Sequence, residues 1–143
     1  MLWLHRRLTW LAKAWQKKIN RKGGGYNHRM GLFDAIIIKD NHADFCGGLT
    51  QALEKTKAYL IKNALEIPVI VEVRNGNEID QVIRYPWVKR ILLDNMSPEI
   101  LTENIKKING KFETEASGNI SAQNLISFAE TGVDYVSMGA LTY

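Results

Sequence analysis

Ala35-Ile36-Ile37-Ile38-Lys39-Asp40-Asn41-His42 is a run of β-branched residues that breaks abruptly into charge. Three consecutive isoleucines favour an extended strand, and the polar residues mark its carboxyl end. The same design recurs downstream. Residues 68–73 form an apolar strand with Glu72 late in it, and residues 88–93 form one that ends at Asp94 and Asn95. Residues 112–116 lead into Ser117-Gly118, and residues 135–138 lead into Gly139. Helical stretches are expected between them, over 47–62, 78–83, 98–108 and 121–131. Ser97 is placed to cap the third, with Pro98 in its first turn. Asn109-Gly110 and Gly132 are stop signals. Strands alternating with helices imply a parallel sheet, and the apolar runs suggest strands covered on both faces. Both a parallel barrel and an open doubly wound sheet fit this pattern. A complete barrel takes about 250 residues, so 143 residues are expected to form part of one.

The bulk properties narrow the setting. The chain is long enough to bury a core, and no apolar run is long enough to span a bilayer. Cys46 is the only cysteine, which excludes an internal disulfide and suits a reducing cytosol. Residues 1–33 carry eight Lys and Arg and no Asp or Glu, whereas the remainder carries 11 basic and 15 acidic residues. The net charge of +4 therefore comes from the leader. The mildly acidic body is not that of a nucleic-acid surface. Within residues 1–22, Leu4, Leu8, Leu11, Trp15 and Ile19 recur at helical spacing among basic residues. This is a basic amphipathic helix, expected to pack on the body or on a partner chain. Its sharper alternative is a membrane-surface or organelle-targeting segment. Gly23-Gly24-Gly25 ends it.

Chemistry gathers at the strand ends. In parallel α/β proteins these ends share one face, where ligands bind. Lys39, Glu72, Asp94, Ser117 and Gly139 follow or close five successive strands. Asn27-His28-Arg29 adds a basic cluster upstream. Each has a plainer structural explanation. His28 suits a surface loop, Lys39 a stem lying along a strand end, Glu72 an exposed alternating position, Asp94 a helix-leading carboxylate and Ser117-Gly118 a tight turn. The glycine-bearing loops Ser117-Gly118-Asn119 and Met138-Gly139-Ala140 permit close backbone approach, so they are candidate phosphate cradles.

Longer stretches carry a family resemblance. Gly23-Gly24-Gly25-Tyr26-Asn27-His28-Arg29-Met30-Gly31-Leu32-Phe33-Asp34 and Ile38-Lys39-Asp40-Asn41-His42 resemble motifs of quinolinate phosphoribosyltransferase. So do Leu92-Leu93-Asp94-Asn95, Glu115-Ala116-Ser117-Gly118-Asn119-Ile120, Thr131-Gly132-Val133-Asp134 and Ser137-Met138-Gly139-Ala140-Leu141-Thr142. The resemblance implies a TIM-like (β/α) barrel that joins quinolinate to phosphoribosyl pyrophosphate with Mg²⁺. The products are nicotinate mononucleotide, pyrophosphate and CO₂, on the route to NAD. It also implies that His28, Arg29 and Lys39 hold the anionic substrates. Glu72 and Asp94 act around the ribose hydroxyls and the metal, and the two glycine loops lie near the 5′-phosphate. A cytoplasmic homodimer is implied, in which one subunit's amino-terminal domain completes its partner's site.

Departures from the pattern shape the remaining expectations. The region before the triple glycine reads Leu8-Thr9-Trp10-Leu11-Ala12-Lys13, where the family carries Thr-Arg-Lys-Thr. Asn119 stands where Gly is common, and Arg74 where an acidic residue is common. Residues 23–143 are expected to be a truncated catalytic barrel domain without the family's amino-terminal domain, and 1–22 an atypical leader. The alternative expectation is an inactive remnant that keeps sugar-phosphate binding or serves as an interaction module.

Overall fold

The structure is a computed structural model and describes residues 35–138. The leader helix, His28, Arg29, Gly139 and Ala140 lie outside the described residues. Strands β1 (Ile36–Ile38), β2 (Val69–Val73), β3 (Arg90–Asp94), β4 (Glu113–Ser117) and β5 (Tyr135–Val136) form one sheet in sequential order. Every neighbouring pair is parallel. Helices α1 (Asp40–Cys46) and α2 (Leu49–Lys62) separate β1 from β2. Helices α3 (Gly76–Val82), α4 (Pro98–Ile108) and α5 (Leu125–Ala129) fill the three later crossovers.

The register divides the side chains between two unlike faces. Ile38, Val71, Ile91 and Thr114 are aligned, as are Val73, Leu93, Ala116 and Val136. Most of these join one large buried cluster with Leu53, Leu60, Ile79, Val82, Leu101, Ile108 and Phe128 from the helices. Among the described residues, the opposite face holds a small apolar cluster, Ala35, Ile70 and Leu92 with Ile37 against it, and no described helix residue enters it. Among the described residues, helices thus cover one face of the sheet. A doubly wound sheet would place them on both. Sequential parallel order with a one-sided helical layer is the wall of a (β/α) barrel. The apolar runs had suggested two covered faces. The second face instead carries Lys39 at the end of β1, followed by Glu72, Arg90, Asp94, Glu113, Glu115 and Ser117. These residues face the barrel interior, where they pair with one another.

Local chemistry sets the element ends. Gly47 and Gly48 adopt φ of 90° and 131°, conformations open to glycine and costly for other residues, so the helix expected over 47–62 starts at Leu49 and runs unbroken to Lys62. The additional helix α1 starts inside the stretch read as a strand-end loop. Its first turn is closed by the Lys39 N–H, which donates to His42 Nδ1 at 3.2 Å. Asn75 caps α3, its Oδ1 accepting from the N–H groups of Asn77 and Glu78 at 3.1 and 3.0 Å. In α4 the backbone follows expectation, with Asn109 left-handed at its end. Ser97, however, makes no side-chain cap. Its hydroxyl is engaged by Glu99, whose carboxyl is held below its ordinary range by that bond. Strands β3 and β4 end one residue later than the apolar pattern suggests. Asp94 and Ser117 are therefore ladder residues, aligned with each other, and the sheet holds them more firmly than a loop would.

Candidate active site at the carboxyl ends of the strands

Parallel pairing puts all the strand ends at one rim, and Lys39, Glu72, Asp94 and Gly118 meet there. Lys39 Nζ lies 3.9 Å from Glu72 Oε2. The lysine side chain is 51% exposed and the glutamate 11%, so the cation remains accessible while the carboxylate is sunk into the rim. Burial raises the Glu72 pKa. Lys39 and a hydrogen bond from the Asp40 backbone oppose that rise, and the nearby charges of Asp94 and Asp40 add to it. Glu72 and Asp94 are therefore close enough to repel each other.

Asp94 is held from two sides. Its Oδ1 accepts from Ser117 Oγ at 2.6 Å, and its Oδ2 accepts from Asn95 Nδ2 at 2.9 Å. The Asn95 N–H donates to the Ser117 carbonyl at 2.9 Å, which extends the ladder past the strand. Gly118 then turns with φ 87° and Asn119 with φ 53°. Asn124 Nδ2 donates to the Asn119 carbonyl at 3.0 Å and fastens this loop to the start of α5. Left-handed backbone at Asn95, Gly118 and Asn119, all at the rim, is the kind of stored strain that clusters at functional sites. The fifth strand end is tied in by the Ser137 N–H, which donates to the Ala116 carbonyl at 2.9 Å. Met138 packs against the large core, leaving its backbone as its contribution to the second loop.

A layer of charge that the sequence reading missed supports the rim from below. Arg90 Nη1 donates to Glu115 Oε2 at 3.0 Å, while Nε and Nη2 donate to Glu113 Oε2 at 3.0 and 2.8 Å. Lys89 Nζ reaches Glu113 Oε1 at 2.7 Å. The Tyr135 ring lies 3.8 Å from Arg90 Cζ, close enough for stacking. Glu115 also accepts from Ser137 Oγ, which links this layer to the last strand end. The alternation Glu113-Thr114-Glu115 opposite Arg90 was the available signal.

Mg²⁺ is a hard ion that usually takes one or two protein carboxylates and completes its shell with phosphate and water. Glu72 and Asp94 fit that demand as a mutually repelling pair. Among the described residues, no group of three or more His, Cys, Asp or Glu forms a metal cage. No helix among them is long and apolar enough to cross a membrane.

One-sided helices, sequential parallel strands and a polar rim at their carboxyl ends define a domain of the (β/α)-barrel class. The profile of the family described as "Quinolinate phosphoribosyl transferase, C-terminal domain" matches residues 4–143. The chain belongs to that family. It is 44% identical to quinolinate phosphoribosyltransferase [decarboxylating] 2, mitochondrial, of Nicotiana glauca, with 85% of this chain and 38% of the relative covered. It is 36% identical to the probable nicotinate-nucleotide pyrophosphorylase [carboxylating] of Bacillus subtilis (strain 168), over 90% of this chain and 43% of the relative. Among solved structures, NadC from Streptococcus pyogenes superposes with a TM-score of 0.81 at 38% identity, covering 90% of this chain and 44% of that one. The Francisella tularensis nicotinate-nucleotide pyrophosphorylase gives 0.77 at 41% identity, covering 85% and 42%. The chain thus spans less than half the length of each of these relatives.

Proposed function

We propose that this chain carries the phosphoribosyl-transfer site of a quinolinate phosphoribosyltransferase. The observation that carries the reading is the convergence of Lys39, Glu72 and Asp94 beside the Gly118 turn. The pyridine nitrogen of quinolinate forms a bond to ribose C1 as the C1–oxygen bond breaks, and pyrophosphate leaves with that electron pair. Ribose C1 gains positive character on the way, and fixed carboxylates stabilise it. Glu72 and Asp94 take that role and orient the ribose hydroxyls. As CO₂ departs, the electron pair of the broken C–C bond stays on the ring carbon beside the quaternary nitrogen, whose positive charge stabilises it until a proton from water fills that position, so the chemistry needs no protein nucleophile. Lys39 serves as a point charge for a substrate carboxylate or phosphate, and Arg29 and His28 add a planar fork and a donor. The loops Ser117-Gly118-Asn119 and Met138-Gly139-Ala140 receive the 5′-phosphate through backbone N–H groups. Holding the two substrates together supplies about 7–11 kcal/mol of the barrier reduction.

Glu72 and Asp94 would hold a Mg²⁺ ion brought by the donor's diphosphate, and the ion would supply charge neutralisation for the leaving group. At the described rim, Asp40, Glu72 and Asp94 outweigh Lys39, whereas both substrates are polyanions. Arg29 and His28 offset part of that imbalance, which also favours a homodimer in which the partner brings further cations. It equally supports a second reading, in which this chain alone binds a sugar phosphate without turnover. The proposed compartment is the cytosol, which fits the lone, partly buried Cys46. Incubating the chain with Mg²⁺, quinolinate and phosphoribosyl pyrophosphate and assaying nicotinate mononucleotide tests the first reading. Saturable binding of phosphoribosyl pyrophosphate without product supports the second, and absence of both overturns the two together.

A further inference from the structure

We infer that Asn95 is a positioning residue that locks the Asp94 carboxylate to the Gly118-Asn119 turn, so that ribose and phosphate recognition are set as one unit. The inference rests on the reading of the site given above. Asn95 follows β3 with φ 53°. Its Nδ2 donates to Asp94 Oδ2 at 2.9 Å, and its Oδ1 accepts from Asn119 Nδ2 at 3.1 Å. That same Oδ1 lies 2.2 Å from the point where a Cβ on residue 118 would fall. The Asn95 carboxamide therefore fills the space that Gly118 leaves open, with its donor on the carboxylate and its acceptor on the turn.

The position makes three demands at once, and asparagine meets them together. It must tolerate left-handed backbone, which Asn does better than most residues. It must donate to a carboxylate, which Asp cannot do when ionised, and it must accept from an amide, which Lys and Arg cannot do. Ser117 completes the bracket, since its hydroxyl donates to the other Asp94 oxygen at 2.6 Å. Asp94 is thereby fixed in orientation by the strand that bears it and by the neighbouring turn.

A double-mutant cycle with Asp94 separates positioning from simple structural support. Asn95→Gly keeps the left-handed backbone and removes the carboxamide, so it is the variant best able to fold. Ribose 5-phosphate affinity is measured by ligand-observed NMR for the unaltered chain, Asn95→Gly, Asp94→Asn and the double variant. Asn95→Gly should weaken binding about fivefold in the unaltered background, the scale of one hydrogen bond. In the Asp94→Asn background it should change affinity by less than about twofold, because residues acting through one another are not additive. Equal losses in both backgrounds, or no loss in the first, overturn the positioning role while leaving the site reading intact. If the unaltered chain binds no ribose 5-phosphate, the site reading falls and the positioning role falls with it. Melting curves of all four proteins exclude unfolding as the cause, and an Asn95→Gly protein that melts below the assay temperature is replaced by Asn95→Asp, which tolerates the same backbone and cannot donate to Asp94, with the same expectation.

Discussion

Arg90 Nη1 donates to Glu115 Oε2 at 3.0 Å on the face of the sheet that none of the described helices covers. The side chains are 18% and 2% exposed, so the pair is withdrawn from water. Burial works against the charge of Arg90, yet the bonds to Glu113 and Glu115 outweigh it and hold the guanidinium protonated more strongly than usual. An ion pair here is weak evidence of net stability, but breaking it is costly. Arg90→Met removes one charge and leaves the buried carboxylate without its guanidinium. The variant is expected to lose about 3 kcal/mol of unfolding free energy. Urea denaturation checks this; a loss below about 1 kcal/mol would show that the pair is screened like a surface one.

Glu72 yields a prediction with a definite sign. Its pKa in the fold is raised, first by burial. The folded state then holds the proton more tightly than the unfolded chain, so ionised Glu72 subtracts from stability. The subtraction is complete above the raised value and absent below the ordinary value of 4.5. Glu72→Gln should therefore raise the melting temperature at neutral pH and give no gain below pH 4.5. The same variant should lose phosphoribosyl pyrophosphate binding. Melting scans across pH, paired with titration, test both halves, and an equal gain at all pH values would remove burial of the charge as the cause.

The parallel alternation was legible because it is local. The isoleucine run before Lys39, Pro98 at the start of α4 and Asn109 at its end each signal through neighbours in the chain. The barrel wall was legible as one of two architectures, and the one-sided helical layer decides between them. What escaped is non-local. Arg90 and Glu115 are 25 residues apart in sequence, and they meet only because the register aligns Arg90 with Glu113 and Leu92 with Glu115. Helix α1 escaped for another reason: residues 39–42 were read as the polar end of a strand, and they also start a helix whose first turn His42 closes. Among the proposed site residues, Lys39, Glu72, Asp94 and Ser117 were found by their place at strand ends. Asn95 was quoted as part of a motif, and its role needs a φ value that no pattern displays.

Gly118 joins two independent penalties. An added Cβ would fall 2.2 Å from Asn95 Oδ1, and φ is 87°. Gly118→Ala is expected to cost about 2–4 kcal/mol, combining backbone strain with displacement of the carboxamide. Measured against Asn95→Gly, the double variant Asn95→Gly/Gly118→Ala should recover the displacement part and keep the strain, together with the crowding of the Cβ against the Asn95 backbone nitrogen at 2.9 Å. Thermal denaturation of the two variants provides the check. Equal stability losses would mean that the carboxamide moves aside freely.

Arg74 supplies the contrast that tests the magnitude argument. It makes four hydrogen bonds to carboxylates against three for Arg90: its guanidinium reaches both Asp44 oxygens at 3.3 Å, and Glu78 Oε1 at 3.1 and 2.8 Å. It thereby joins the end of β2 to α1 and α3. The arginine is 42% exposed and Asp44 64%, with Glu78 at 15%, so water reaches the guanidinium and replaces its bonds at less cost than at Arg90. Arg74→Met should lose far less stability than Arg90→Met, for which about 3 kcal/mol is expected. Raising the salt concentration should shrink the Arg74 effect further and leave that of Arg90 nearly unchanged, since buried pairs are screened less. Denaturation of both variants at low and high salt measures the two losses side by side. Comparable losses at both sites would mean that bond count outweighs burial in this fold.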